Sequence, residues 1–260
     1  MGIDFVVDLP CVAKRTLGTQ GLVDLVKARS RADAVLQIAR QNGDLRPAEQ
    51  ITFKIALMTP AGVQERDARI SELYAQAAAL DPHRAACSSC PANGGAPGFG
   101  CYRTIAYPIP ARVESFLLAR LPAIASCTAG QMLRRAFSDF GWDGAHAANM
   151  RTQGQRFFEA SVPEARRFDD GFALTADQVH HMMFNVGHPN ATHAMMLALF
   201  FGVIPHDLDP GWLATPQNRA HVLAYATVAP QQDGATEAMA QYLRACALAA
   251  RLDATILVDG

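Results

Sequence analysis

No uncharged apolar stretch in the sequence is long enough to cross a bilayer. The best candidate, residues 194–204, is about half the ~20 residues that a spanning helix requires. Residues 1–9 carry Asp4 and Asp8 where a secretory leader would need an unbroken apolar core. Charge of one sign is also lacking: 23 Lys and Arg stand against 24 Asp and Glu, a formal net charge of −1. Without a basic excess there is no electrostatic case for nucleic acid or an anionic membrane surface. Six cysteines in 260 residues are too sparse for a disulfide scaffold. These absences lead us to expect a cytoplasmic protein with no nucleic-acid or membrane partner.

Several catalytic signatures are missing as well. No His-Glu-x-x-His supplies a metal-bound water, and no Gly-x-Ser-x-Gly elbow supports acyl transfer. The glycines near position 100 form neither a dinucleotide fingerprint nor a phosphate loop with its lysine.

What is present is a chain half apolar by composition, able to bury about 70% of its unfolded surface. Alternation of apolar and acidic residues predicts a half-buried strand over 3–9, stopped by Pro10. A helix is expected over 19–41, closed by the turn residues Asn42, Gly43 and Asp44. A second strand is expected over 50–58. Thr59-Pro60 then reads as a helix start, with the helix running over 60–80 to Asp81-Pro82. A third strand is expected over 101–107. Beyond it the pattern is helical, at 110–121, 123–140, 175–186, 191–201, 216–229 and 235–251, with an irregular segment over 141–174. Thr175 and Gln178 form a capping-box pattern, and Asn190 can cap the helix after it.

The expected class is therefore α+β: a small antiparallel sheet of about three strands covered by helices, followed by a predominantly helical half. Residues 1–110 form the strand-containing, cysteine-rich region, and 111–260 the helical region packed continuously against it.

The most specific feature is the cysteine loop. Cys87 and Cys90 are two residues apart, and Cys101 follows an uncharged, glycine-rich stretch. Such spacing lets sulfurs face one metal centre. Cys11 is the expected fourth ligand: if the first and third strands pair antiparallel, the end of one meets the start of the other. Cys127 and Cys246 read as small core residues. Four thiolates suit an iron–sulfur cluster, here a 4Fe-4S centre, with zinc as the alternative. Arg84, Arg103 and the amides around Gly94, Gly95, Gly98 and Gly100 would tune its charge. A Cys-x-x-Cys redox pair is a further reading, weakened because no helix start follows Cys87.

The leading expectation is an iron–sulfur protein for redox transfer or sensing, with a protein or redox partner. One alternative is a zinc-stabilised interaction module. The other is an enzyme whose pocket, between sheet and helical half, uses His180, His188 or His193 on a small-molecule ligand. His180 and His181 should point about 100° apart on their helix, and neither belongs to an obvious i,i+4 ligand pair.

Overall fold

A computed structural model describes residues 2–59, 62–94, 98–184 and 187–259. It divides into two compact units, one made of Met1–Leu9 with Cys101–Gly260, the other of Pro10–Gly100.

The chain begins in the first unit with β1 (Gly2–Asp8). It then builds the second unit from α1 (Val12–Leu17), α2 (Thr19–Gln41), β2 (Thr52–Thr59), β3 (Gly62–Arg69), α3 (Ile70–Ala77) and α4 (Arg84–Ser88). The expected helix at 19–41 is α2. Its Ala28 and Ala32 are buried against Ile51, Ile70 and Leu73, which form the core of this unit.

The expectation of a helix over 60–80 requires correction. Residues 62–69 are β3, antiparallel to β2 in the register Thr52↔Arg69 to Thr59↔Gly62. The helical signal came from Thr59-Pro60, of which Pro60 lies outside the described residues. A cross-strand partner outweighs such a local preference. Lys54 reaches Glu65 across the pair at 3.1 Å, and the helix starts only at Ile70.

The first unit resumes with β4 (Tyr102–Ala106), then α5 (Ala111–Arg120), α6 (Thr128–Phe140), α7 (Ala145–Arg151), β5 (Ala165–Arg167) and β6 (Ala173–Thr175). It ends with α8 (Ala176–Phe184), α9 (Ala191–Phe200), α10 (Pro210–Leu213), α11 (Pro216–Ala224), α12 (Gly234–Leu252) and β7 (Thr255–Asp259). The sheet order is β4-β1-β7, antiparallel throughout. This is the expected α+β arrangement, a small antiparallel sheet with helices covering it and a largely helical carboxyl-terminal half.

The pairing of the strands at 3–9 and 101–107 is as expected, in the register Ile3↔Ile105. The third strand of this sheet is not the one expected. It is β7, whose Ile256 and Val258 pair with Val7 and Phe5, while β2 pairs with β3. Helix α12 is closed by its C-cap Asp253, the described non-glycine residue with positive φ (53°), and this left-handed turn delivers the chain to β7.

The sheet and helices meet around Tyr242 of α12, which is fully buried. Its ring packs edge-on against Phe5 of β1 at 5.1 Å and beside Phe184 of α8 at 4.8 Å. The hydroxyl donates to the Met183 carbonyl at 2.6 Å, at the end of α8 where a carbonyl has no helical partner. Five alanines (Ala240, Ala245, Ala247, Ala249 and Ala250) share the buried face of α12 with Thr236, Met239, Leu243 and Cys246. No helix among the described residues is long and apolar enough to cross a membrane.

Candidate functional site

The cysteine centre is overturned by the structure. Among the described residues, no group of three or more His, Cys, Asp or Glu side chains is placed to hold a metal ion. The iron–sulfur assignment, the zinc alternative and the redox-cluster function are corrected accordingly. The strand pairing behind the choice of Cys11 does form, and Val7 N–H donates to the Cys101 carbonyl at 3.1 Å. Its register, however, says nothing about residues past Leu9, where the chain enters the other unit.

Each cysteine there serves a separate piece of backbone. Cys11 is the N-cap residue of α1, Cys87 is buried within α4, and Cys90 precedes a short turn of helix over Pro91–Asn93. None of the six cysteines forms a disulfide among the described residues.

The groups expected to tune a cluster have other tasks. Arg84 pairs with Asp81 at 3.0 Å. Arg103 donates to the Tyr102 carbonyl at 2.7 Å, and burial disfavours its charge. Gly94 and Gly98 adopt left-handed turns, with φ of 61° and 72°. The Gly100 amide donates to Asn93 Oδ1 rather than to a sulfur, and Gly95 lies outside the described residues. Burial, then the neighbouring Cys11 and Cys90, push the Cys87 thiol up, with Lys14 opposing. A thiol held protonated is a poor nucleophile, which also weighs against the dithiol reading.

The helical half holds the chemistry that the sequence left unassigned. Arg151, at the end of α7, is 6% exposed and joins the first turns of two other helices. Its Nε donates to Asp177 of α8, one terminal nitrogen to Glu114 of α5, and the other to the Ala160 carbonyl, each at 2.7 Å. Both carboxylates lie at helix amino termini and the guanidinium at a carboxyl terminus, so each charge complements its helix dipole. The guanidinium also lies 4.0 Å from the centre of the Phe158 ring. Every polar group of this cluster has a structural task.

The three histidines expected to line one pocket are separated. His188 is exposed between α8 and α9. His180 is buried beside Phe158 and Phe184, with no hydrogen-bond partner on either ring nitrogen among the described residues. Burial pushes it down to about 3, so it is neutral at physiological pH. The gap it faces, with Val113, Leu117 and Met239, offers the centre of a water-sized sphere only about 10 Å³. That is room for one water and not for an organic ligand.

His193 lines a different and much larger space, a cleft of about 530 Å³ shared with Phe140, Trp142, His181, Asn190, Thr192 and Met196. This volume is in the range of small-molecule sites.

The cleft is assembled from four pieces of chain. Helix α6 ends at Phe140, and Gly141 turns left-handed (φ 63°) to start the path to α7. Trp142 follows, only 5% exposed, while Phe140 stays 60% exposed at the rim. Gly144 brings this connection against α8: its φ is 77°, and a Cβ there would lie 2.7 Å from the Gln178 nitrogen. The first turn of α9 completes the lining, and there Asn190 Oδ1 caps the helix by accepting from His193 N–H at 2.9 Å. The capping box expected at Thr175 and Gln178 also forms, setting the start of α8.

Three rings form one side. Phe140 and Trp142 stack at 5.0 Å with an interplanar angle of 28°, and Trp142 and His193 at 5.8 Å and 14°. Burial lowers the pKa of His193, while a hydrogen bond to the Met182 backbone opposes that shift. A bond that favours the charged ring is one the ring donates. Since Nε2 is buried without a partner among the described residues, Nδ1 is the donor.

His181, one residue beyond His180, points into the cleft instead of the interior, as the 100° step of the helix requires. Its Nδ1 accepts from Gly144 N–H at 3.3 Å and lies 3.4 Å from Asp143 Oδ1. The carboxyl of Asp143 is held below its ordinary value chiefly by the Ala145 amide, with His181 contributing.

His193 was legible as a candidate in the sequence, and Asn190 as a helix cap. Phe140, Trp142 and Thr192 carried no signal of a cleft there. Comparison with protein-family models, curated proteins and solved structures found no match, so the functional reading rests on the geometry of this cleft.

Proposed function

We propose that the chain binds a small molecule with a planar ring in the cleft between the α6–α7 connection, α8 and α9. The observation that carries this reading is the run of stacked rings, Phe140, Trp142 and His193, along one wall of a 530 Å³ space. An aromatic residue left 60% exposed at the rim of such a wall presents a face on which another ring can stack. The polar groups are few, His181 of α8 with Asn190 and Thr192 at the start of α9, as in sites that orient a largely apolar ligand. We place the protein in the cytoplasm, a setting supported by six cysteines outside disulfides among the described residues.

The test is ligand-observed NMR of the full chain with a panel of soluble planar compounds such as quinoline, indole and benzimidazole. Saturable binding is expected for at least one ring. Phe140→Ala should weaken it about fivefold, the loss of roughly 1 kcal/mol of stacking. Absence of binding by every ring, or an unchanged affinity in the variant, would remove the reading.

A further inference from the structure

Resting on the cleft reading above, we propose that the ligand is an aromatic carboxylate whose carboxyl group is held by His181, Asn190 and Thr192. The Nδ1 lone pair of His181 takes the Gly144 N–H at 3.3 Å, which places the proton of the neutral ring on Nε2. Asp143 Oδ1 also lies 3.4 Å from Nδ1. With Nδ1 accepting from Gly144, Nε2 is the ring's donor.

Asn190 has its carbonyl oxygen occupied by the His193 amide, at 2.9 Å, so what it retains is the NH₂ group. Thr192 adds a hydroxyl free to donate. None of these three donors has a partner among the described residues. His193, whose nitrogen could accept, keeps that atom buried instead of presenting it to the cleft.

The cleft therefore combines these donors with an apolar, aromatic lining. A ligand presenting only a donor edge would leave these three donors unsatisfied. A carboxylate offers two oxygens with several acceptor positions and gains the stronger, charge-assisted bonds. Its ring meets Phe140 and Trp142. The negative charge of Asp143 does not line the cleft and is engaged by the Ala145 amide at 2.9 Å.

Isothermal titration of the full chain with indole-2-carboxylate and with indole tests this, since the two probes share a ring and differ in the anion. The carboxylate is expected to bind at least tenfold more tightly. Both His181→Phe and Thr192→Val should reduce carboxylate affinity at least threefold and leave indole within twofold. Thr192 is exposed, so its variant is informative even if His181→Phe fails to fold. Equal affinity for both probes would overturn the carboxylate assignment while sustaining the ring pocket. A carboxylate preference undiminished in both variants would place the anion elsewhere and overturn it too. Failure of both probes to bind would remove the ring pocket as well.

Discussion

Replacing Arg151 with methionine should be among the most damaging single changes to the helical half. Methionine keeps much of the side-chain volume and removes the charge together with three hydrogen bonds, to Asp177, Glu114 and the Ala160 carbonyl. The side chains left behind are almost inaccessible, Glu114 at 4% and Asp177 at 6% exposure. Solvent cannot take over the lost interactions. Breaking a buried pair in this way costs about 3–5 kcal/mol, because a charge is stranded. Two carboxylates are stranded here, but each keeps the amide dipoles of a helix amino terminus, and Glu114 keeps the Glu164 amide at 3.1 Å. We therefore expect about 4 kcal/mol, or a fall in melting temperature of roughly 10 °C for a chain of this length.

Circular dichroism during thermal and urea unfolding measures the loss. The double variant Arg151→Met with Glu114→Gln should recover part of it, since one stranded charge is gone. Arg151→Lys should also destabilise the protein, because a point charge cannot serve both carboxylates and a carbonyl in the guanidinium's planar geometry. A loss below about 1 kcal/mol in Arg151→Met, the range of exposed pairs, would show that this cluster does not join the three helix ends.

Three further outcomes are expected. Tyr242→Phe should cost about 1–3 kcal/mol, read by urea unfolding, because the Met183 carbonyl loses the hydroxyl that satisfies it in the core. Gly144→Ala forces a Cβ to 2.7 Å from the Gln178 nitrogen at φ 77°, so it should lower the melting temperature and abolish ring binding together. Asp233 caps α12 and pairs with Arg112 at 2.9 Å, bonds that hold its carboxyl well below the ordinary 3.8. A depressed native pKa contributes stability above the unfolded value that is lost as pH falls through the native one. The penalty of Asp233→Ala should thus be full at neutral pH and shrink progressively below about pH 4. A penalty that does not change with pH would assign the effect to capping geometry alone.

Local signals were read well where local physics decides. The helices at 19–41, 110–121 and 191–201, the cap at Asn190 and the Thr175–Gln178 box depend on neighbours a few residues away. The strand at 255–259 was missed because three apolar residues after a long alanine-rich helix make no pattern without β1 beside them. The helix assigned to 62–69 failed for the related reason that β2 supplied a partner the local signal could not foresee. The cysteine spacing misled because Cys-x-x-Cys describes sequence distance, while coordination needs at least three donors placed around one ion, and no such group exists among the described residues.

By itself the sequence determined the α+β class and most helix positions, since periodicity and capping act over a few residues; the pairing of the first and third expected strands was only a supposition there. Tertiary structure alone decided which rings stack, which carboxylates share Arg151 and that His180 and His181 serve different spaces. Those outcomes depend on contacts between residues as far apart as Trp142 and His193, or Glu114 and Arg151, whose energies exist only after the helices have packed.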